Sequence, residues 1–362
     1  MVWLLAALIL LPGLLPAQGT IITTPTINNG NWTQAGSPYI VKVNLTIGYL
    51  KIGPGVEVRV DPTLAIKVTG SLISSATAMN PVLFTSNTGK QDWGGIYLQD
   101  CLTPTNMLHC IIEKSNNRGL RVFRSSGSKL TLKYCTVRNN SFNRSGGGVH
   151  VSLTNKSTLT MEDCLVAGNT SDPGTANVST SGGGIYATGS IRLVRCVIKN
   201  NTCRSYAKTG GYSSAYADCQ GGGVYVNGDL EARNCVIKAN YAYASAWSQW
   251  GKTYAQAIGG GLYLKTTGTS STLANTIISR NRAGCYSRSK TRNNQWPGAW
   301  FDSGKVSIAN CTFAWNNCES DAKTCSALHF VNTTATVVNS IIFENEKKTS
   351  PTPAPFNPQI TN

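Results

Sequence analysis

The stretch GGGVYVNGDLEARNCVIKAN, residues 221–240, is one statement of a phrase that the chain repeats: GGGVHV begins at residue 146, GGGIYA at 182 and GGGLYL at 259. Aligned on one internal position, the chain resolves into eight units: MLHCIIEKS, LTLKYCTVRNN, LTMEDCLVAGN, IRLVRCVIKNN, LEARNCVIKAN, STLANTIISRN, VSIANCTFAWN and ATVVNSIIFEN. The anchor position holds Cys110, Cys135, Cys164, Cys196, Cys235, Thr276, Cys311 and Ser340. Five residues later stand Asn140, Asn169, Asn201, Asn240, Asn281, Asn316 and Asn345, with Ser115 in that place in the first unit. Anchors lie 25 to 41 residues apart, so a constant unit carries inserts of variable length.

Inside a unit the apolar residues alternate in three short runs: Val224 and Val226, then Leu230 and Ala232, then Cys235 and Ile237. Period two means short strands with one face inward. Parity breaks just before the anchor, where Asp163, Asn234, Asn275, Asn310 and Asn339 stand, residue types that tolerate a left-handed bend. Three strands and three corners per unit leave no room for a crossover helix. The expectation is an all-β, right-handed, single-stranded parallel β-helix of about 10 coils, with equivalent residues about 4.8 Å apart and long loops on one side.

The pattern resembles the right-handed parallel β-helix repeat proteins of the pectate-lyase-like superfamily, through the NPVLFTS and DWGGIYL segments, the N-C-x-I bends and the GGG-[VIL]-Y strands, over roughly residues 40–346. The GGGIY and IxxN phrases are also similar to the GGA[IVL] and FxxN repeats of chlamydial polymorphic membrane proteins, with Gly in place of the third Ala. Both resemblances imply the β-helix; they imply different functions, polysaccharide cleavage and surface adhesion, and fold alone does not choose.

Residues 1–17, MVWLLAALILLPGLLPA, are apolar and uncharged, with Ala17 before a candidate cleavage point, and are expected to be a signal peptide. Pro12 interrupts the run, which falls short of the roughly 20 residues of a spanning helix, so no membrane span beyond this segment is expected. The β-helix domain is assigned to 18–346 and a Pro-rich linker or tail to 347–362. The expected location is secreted or at the cell surface, as a monomer. A formal charge of +16 favours an anionic partner, and export makes that a polysaccharide or cell-surface glycan, not nucleic acid.

Of the 12 cysteines, the six at the anchor are read as a reduced ladder that packs as core, since Thr276 and Ser340 replace them without a partner. Two disulfides are expected at the bases of inserts, Cys203–Cys219 and Cys318–Cys325, while Cys101 and Cys285 receive no assignment. No paired C-x2-C motif and no clustered histidines occur, so no metal site and no cofactor are expected.

The inserts 170–181, 202–220, 241–258 and 282–297 precede the GGG strands and are expected to form a wall of loops beside them. On the outward position of those strands the reading places a column of Tyr97, His150, Tyr186, Tyr225, Tyr263, Phe301 and His329. Its ring faces would stack on sugars, although aromatic side chains also occupy exposed strand positions for sheet stability alone. The inserts add Trp247, Trp250 and Arg288 to the candidate binding residues. The function expected is adhesin-like binding of acidic polysaccharide or a surface partner without turnover. The alternative is a polysaccharide lyase or glycoside hydrolase. Hydrolysis calls for converging carboxylates, and Asp172, Asp218, Asp229 and Asp302 fall in different loops and coils. For a metal-free eliminase the candidate set is His150, Tyr186 and Arg204.

Overall fold

In each of the eight aligned units the residue before the anchor takes a left-handed backbone: His109, Tyr134, Asp163, Arg195, Asn234, Asn275, Asn310 and Asn339 have φ between 48° and 55°. These bends break the chain into short strands that stack in parallel. The computed structural model describes residues 19–345 other than 102–104, 125–128, 154–156, 175–176, 268–269, 289–291 and 320–325, together with the backbone of 360–361. The signal segment, the 347–359 part of the tail and Cys325 lie outside the described residues.

The anchor strands, from Thr20–Ile22 through Val236–Lys238 to Ile341–Phe343, form one 12-stranded parallel sheet, so the described residues make twelve coils against the expected number of about 10. The difference lies at the start. The Thr- and Asn-rich stretch before residue 40, where the repeat is not visible in the sequence, itself supplies strands, with Thr20, Ile21 and Ile22 opposite Tyr39, Ile40 and Val41. The other two faces run together in a 19-stranded sheet, in which the GGG strands and the strands that follow them keep separate registers.

Inside the coils one continuous apolar core runs the length of the stack, from Trp32 and Tyr39 to Leu328 and Phe330. The anchor cysteines belong to it as reduced, buried thiols. Five of the six point at a carbonyl of the preceding coil, the Cys164 thiol donating to Leu132 O at 3.4 Å and that of Cys235 to Leu193 O at 3.4 Å, and Cys110 donates to the Ser74 hydroxyl at 3.2 Å. The asparagines form a second buried ladder. Asn201 Nδ2 donates to Asn240 Oδ1 at 3.0 Å, Asn240 to Asn281 at 3.0 Å, and Asn281 to Asn316 at 3.0 Å, so each amide ties one corner to the next.

The inserts are not loops. Residues Thr202–Thr209, Tyr241–Ser248 and Arg282–Ser287 join shorter strands in a six-stranded parallel sheet, and Ala215–Gln220, Thr253–Ile258 and Arg292–Trp296 join Thr180–Ser181 in a four-stranded one. The two sheets pack face to face over a second core of small side chains, Cys203, Ala207, Ala217, Cys219, Ala244 and Ala255 among them. They make a thin fin that projects from the corner between the anchor strands and the GGG strands. The expected Cys203–Cys219 disulfide ties its two sheets together at the base, with Cα atoms 6.3 Å apart. Cys101 and Cys285 are buried.

Candidate binding corner

Each return from the fin to a GGG strand is made by three glycines. Gly221 turns the chain at φ +67°, and Gly222 and Gly223 then pass where no side chain fits: a Cβ on Gly222 would lie 2.5 Å from Gly260 O, and one on Gly223 2.7 Å from Asn240 Nδ2. The glycines therefore rest directly on the asparagine ladder. This fixes the angle between the fin's four-stranded sheet and the GGG strand, and makes a corner between their outer faces.

The ladder on the strand side is set by register. Tyr97 pairs with Arg121, Arg121 with His150, and the column continues through Tyr186, Tyr225, Tyr263, Trp300 and His329. Phe301, expected in this column, faces inward: it is 1% exposed and stacks on Phe330 in the core. The slip has a simple cause. Trp296-Pro297-Gly298 stands where the three glycines stand in the coil before, and Leu262 pairs with Ala299, so Trp300 takes the outward place. Arg121 was also missed, although Gly119-Leu120-Arg121-Val122 is a degenerate copy of the same phrase.

The rings cover one another. His150 and Tyr186 stack at 4.9 Å between centroids, Tyr186 and Tyr225 at 4.9 Å, and Tyr225 and Tyr263 at 5.0 Å, with interplanar angles of 18°, 2° and 6°. Their faces are used in stabilising the sheet, and their edges and hydroxyls point into the corner. From the fin side Ile258 and Trp296 pack against Tyr263, with Tyr225 and Trp300 alongside. Burial pushes the Tyr225 hydroxyl up to about 12, with help from Tyr186 and Asp302. Tyr263 is raised further by burial and by Asp302, whose Oδ2 accepts its hydroxyl proton at 3.1 Å.

Charge is divided along the corner. At one end Arg118, Arg121 and Arg144 approach each other, and none is ion-paired with a carboxylate among the described residues. Arg118 is held over the Phe142 ring at 3.6 Å and donates from Nε to Ser145 O at 3.3 Å; Arg121 lies over Tyr97 at 4.7 Å. Burial, then Arg121 and Arg144, pull Arg118 down to about 9, which leaves it protonated at neutral pH. Burial, then Arg118 and Arg121, pull His150 down to about 3, so its imidazole is neutral. His329 is lowered to about 4 by burial. At the other end Asp218 and Asp302, expected to lie apart, both act on Tyr263, one from each wall.

The remaining candidates lie elsewhere. The two fin sheets face each other through their small residues, so the outer face of the six-stranded sheet looks away from the corner. Arg204 is on that face, paired with Asp172 at 3.2 Å, and is not brought to His150 and Tyr186; the eliminase set is not assembled. Trp247 and Arg288 share that face, with the Arg288 guanidinium 5.1 Å from the Trp247 ring. Trp250 is at the exposed tip. Of the second expected disulfide, Cys318 is buried and Cys325 lies outside the described residues.

Residues 65–190 match the family model of the right handed beta helix region, which is the part of the chain where coils of three strands stack before the fin reaches full width. The chain is a parallel β-helix repeat protein. No curated protein and no solved structure matches it. Among the described residues, no helix of this β-helix is long and apolar enough to cross a membrane.

Proposed function

We propose that this β-helix is an exported surface protein that binds a linear acidic polysaccharide in the corner between the aromatic ladder and the fin, without turning it over. The observation that carries the reading is the group of three guanidiniums, Arg118, Arg121 and Arg144, unpaired with carboxylates among the described residues and set at one end of a straight row of ring edges. Eight rungs from Tyr97 to His329 span roughly 34 Å at about 4.8 Å per coil, a length suited to a polymer and not to a single small molecule. Since ring faces are occupied, hydroxyl edges and charge supply the contacts. Guanidinium pairs oxyanions bidentately, and each such contact contributes about 1.5–3 kcal/mol.

Arg121→Ala combined with Arg144→Ala is expected to weaken binding of polygalacturonate at least tenfold and to flatten its salt dependence, measured by affinity electrophoresis at two ionic strengths. Unchanged binding would exclude the corner. A second reading, hydrolysis, is favoured by Asp218 and Asp302 on either side of Tyr263; new reducing ends that disappear in Asp302→Asn would establish it instead. A pH series separates histidine from arginine. An ordinary histidine beside the ligand would add a positive charge as pH falls through about 6.5. His150, with its pKa lowered to about 3, stays neutral through that range. Binding is therefore expected to vary less than about twofold between pH 5 and 8, and a rise on acidification through 6.5 would contradict the assignment.

A further inference from the structure

The outer face of the six-stranded fin sheet carries a ladder with one rung missing. Tyr206 pairs in register with Ser245, and Ser245 with Tyr286, so two tyrosines stand two coils apart with only a hydroxyl between them. Elsewhere the fin fills such rungs: on its other face Tyr216 and Tyr254, one coil apart, stack at 4.7 Å. Along the same strand Tyr243 lies to one side of Ser245, edge-on to Tyr206 at 6.3 Å, and Trp247 to the other. Here the surface holds a cavity of 440 Å³ lined by Tyr206, Ser245, Trp247, Lys208 and Asp172. Lys208 Nζ is 5.3 Å from the Trp247 ring and Arg288 5.1 Å from it. Neither cation is ion-paired among the described residues, whereas the nearby Arg204 is paired with Asp172.

We propose that this slot is a second binding site, for one pyranose unit bearing a carboxylate or sulfate, on the opposite side of the fin from the corner. The spacing suits a ring. Two rungs are roughly 9.6 Å apart, so a ring over Ser245 lies about 4.8 Å from each tyrosine position, within the 4.5–7 Å range of ring-to-ring contact. Ser245 offers a hydroxyl at the floor, and Lys208 with Arg288 offers charge at the Trp247 side. The polymer class rests on the reading of the corner; the slot does not. With both sites, one β-helix would hold two polysaccharide chains back to back and cross-link them.

The test counts sites. Tetragalacturonate, its full methyl ester and a sulfated tetrasaccharide are titrated calorimetrically into the full chain and three variants, each checked for intact β-sheet by circular dichroism. The wild type is expected to bind two equivalents of at least one anionic probe, and the ester at least fivefold more weakly. Ser245→Trp, which fills the slot, should leave one equivalent, and Arg121→Ala with Arg144→Ala should leave the other. Lys208→Ala with Arg288→Ala, both on the surface, should weaken at least fivefold the site that Ser245→Trp removes. Two full sites in both slot variants would overturn the proposal, as would equal binding of the ester or no binding of any probe. One equivalent that survives the arginine pair and is lost in Ser245→Trp would sink the corner reading and leave the slot standing.

Discussion

Gly222→Ala is expected to destabilise the β-helix by about 3 kcal/mol, a large effect for one methyl group. The added Cβ would lie 2.5 Å from Gly260 O, 2.6 Å from Tyr241 C and 2.7 Å from Tyr241 O, all backbone atoms that no rotamer change can move. The crowding is shared down the column: a Cβ on Gly183 would lie 2.6 Å from Gly222 O, and one on Gly260 2.6 Å from Pro297 O. To make room, the GGG strand must shift relative to the fin. That displaces Tyr225, which begins three residues later, so binding in the corner should fall with stability. Gly210 provides the contrast. It sits at the fin tip with nothing within 4 Å of an added Cβ, and Gly210→Ala should be neutral or gain up to about 1 kcal/mol through the unfolded chain. Urea unfolding followed by circular dichroism compares the two. Equal midpoints would mean that the glycines do not set the strand-to-fin angle.

That same column shows what a repeat makes visible. The anchor, the bend before it and the asparagine five residues on meet packing and hydrogen-bonding demands that recur through the aligned units, so alignment alone placed them. Phe301 was misplaced because the repeat fails there: Trp296-Pro297-Gly298 does the work of three glycines, and Trp300 and Phe301 are both aromatic, so composition could not choose the parity. The fin escaped detection for a different reason. In YAYASAWS the inward residues are Ala and Ser, which lack the hydrophobicity by which a strand's buried face is recognised, yet Ala242, Ala244 and Ala246 are fully buried. Small side chains allow the two sheets to approach closely, and the core consists of that approach. The arginine cluster was legible in part. Arg121 sits in a recognisable copy of the GGG phrase, but Arg118 and Arg144 come from turns of adjacent coils, and only the stacking brings them together.

Asn240→Leu is expected to cost about 4 kcal/mol, because a side chain of similar size cannot replace the bonds it removes. Asn240 Nδ2 donates to Ile198 O and to Asn281 Oδ1, each at 3.0 Å. Its Oδ1 accepts from the Asn201 backbone N–H and from Asn201 Nδ2, each at 3.0 Å. Leucine leaves the Asn201 N–H without its acceptor in a site that is 0% exposed, and strips one partner each from Asn201 Nδ2, Ile198 O and Asn281 Oδ1. An orphaned buried donor costs about 1–3 kcal/mol and each lost bond about 1 kcal/mol, so the sum is set mainly by what is stranded and not by the leucine's own packing. Position along the ladder then makes a prediction of its own. Asn140 Oδ1 accepts from Ser115 N–H alone, at 2.9 Å, because the preceding coil holds a serine where others hold an amide. Asn140→Leu breaks one bond fewer and should be milder by about 1 kcal/mol. In that preceding coil, Ser115 Oγ bonds to carbonyls of Trp93 and Arg118, so a hydroxyl can partly fill this corner. Asn240→Ser should accordingly fall between wild type and leucine. Denaturant midpoints in the order wild type, serine, leucine would establish the amide ladder as the seam that holds fin, glycines and tyrosines in register. A leucine variant within 0.5 kcal/mol of wild type, about the effect of a surface substitution, would show that core packing alone keeps the coils aligned.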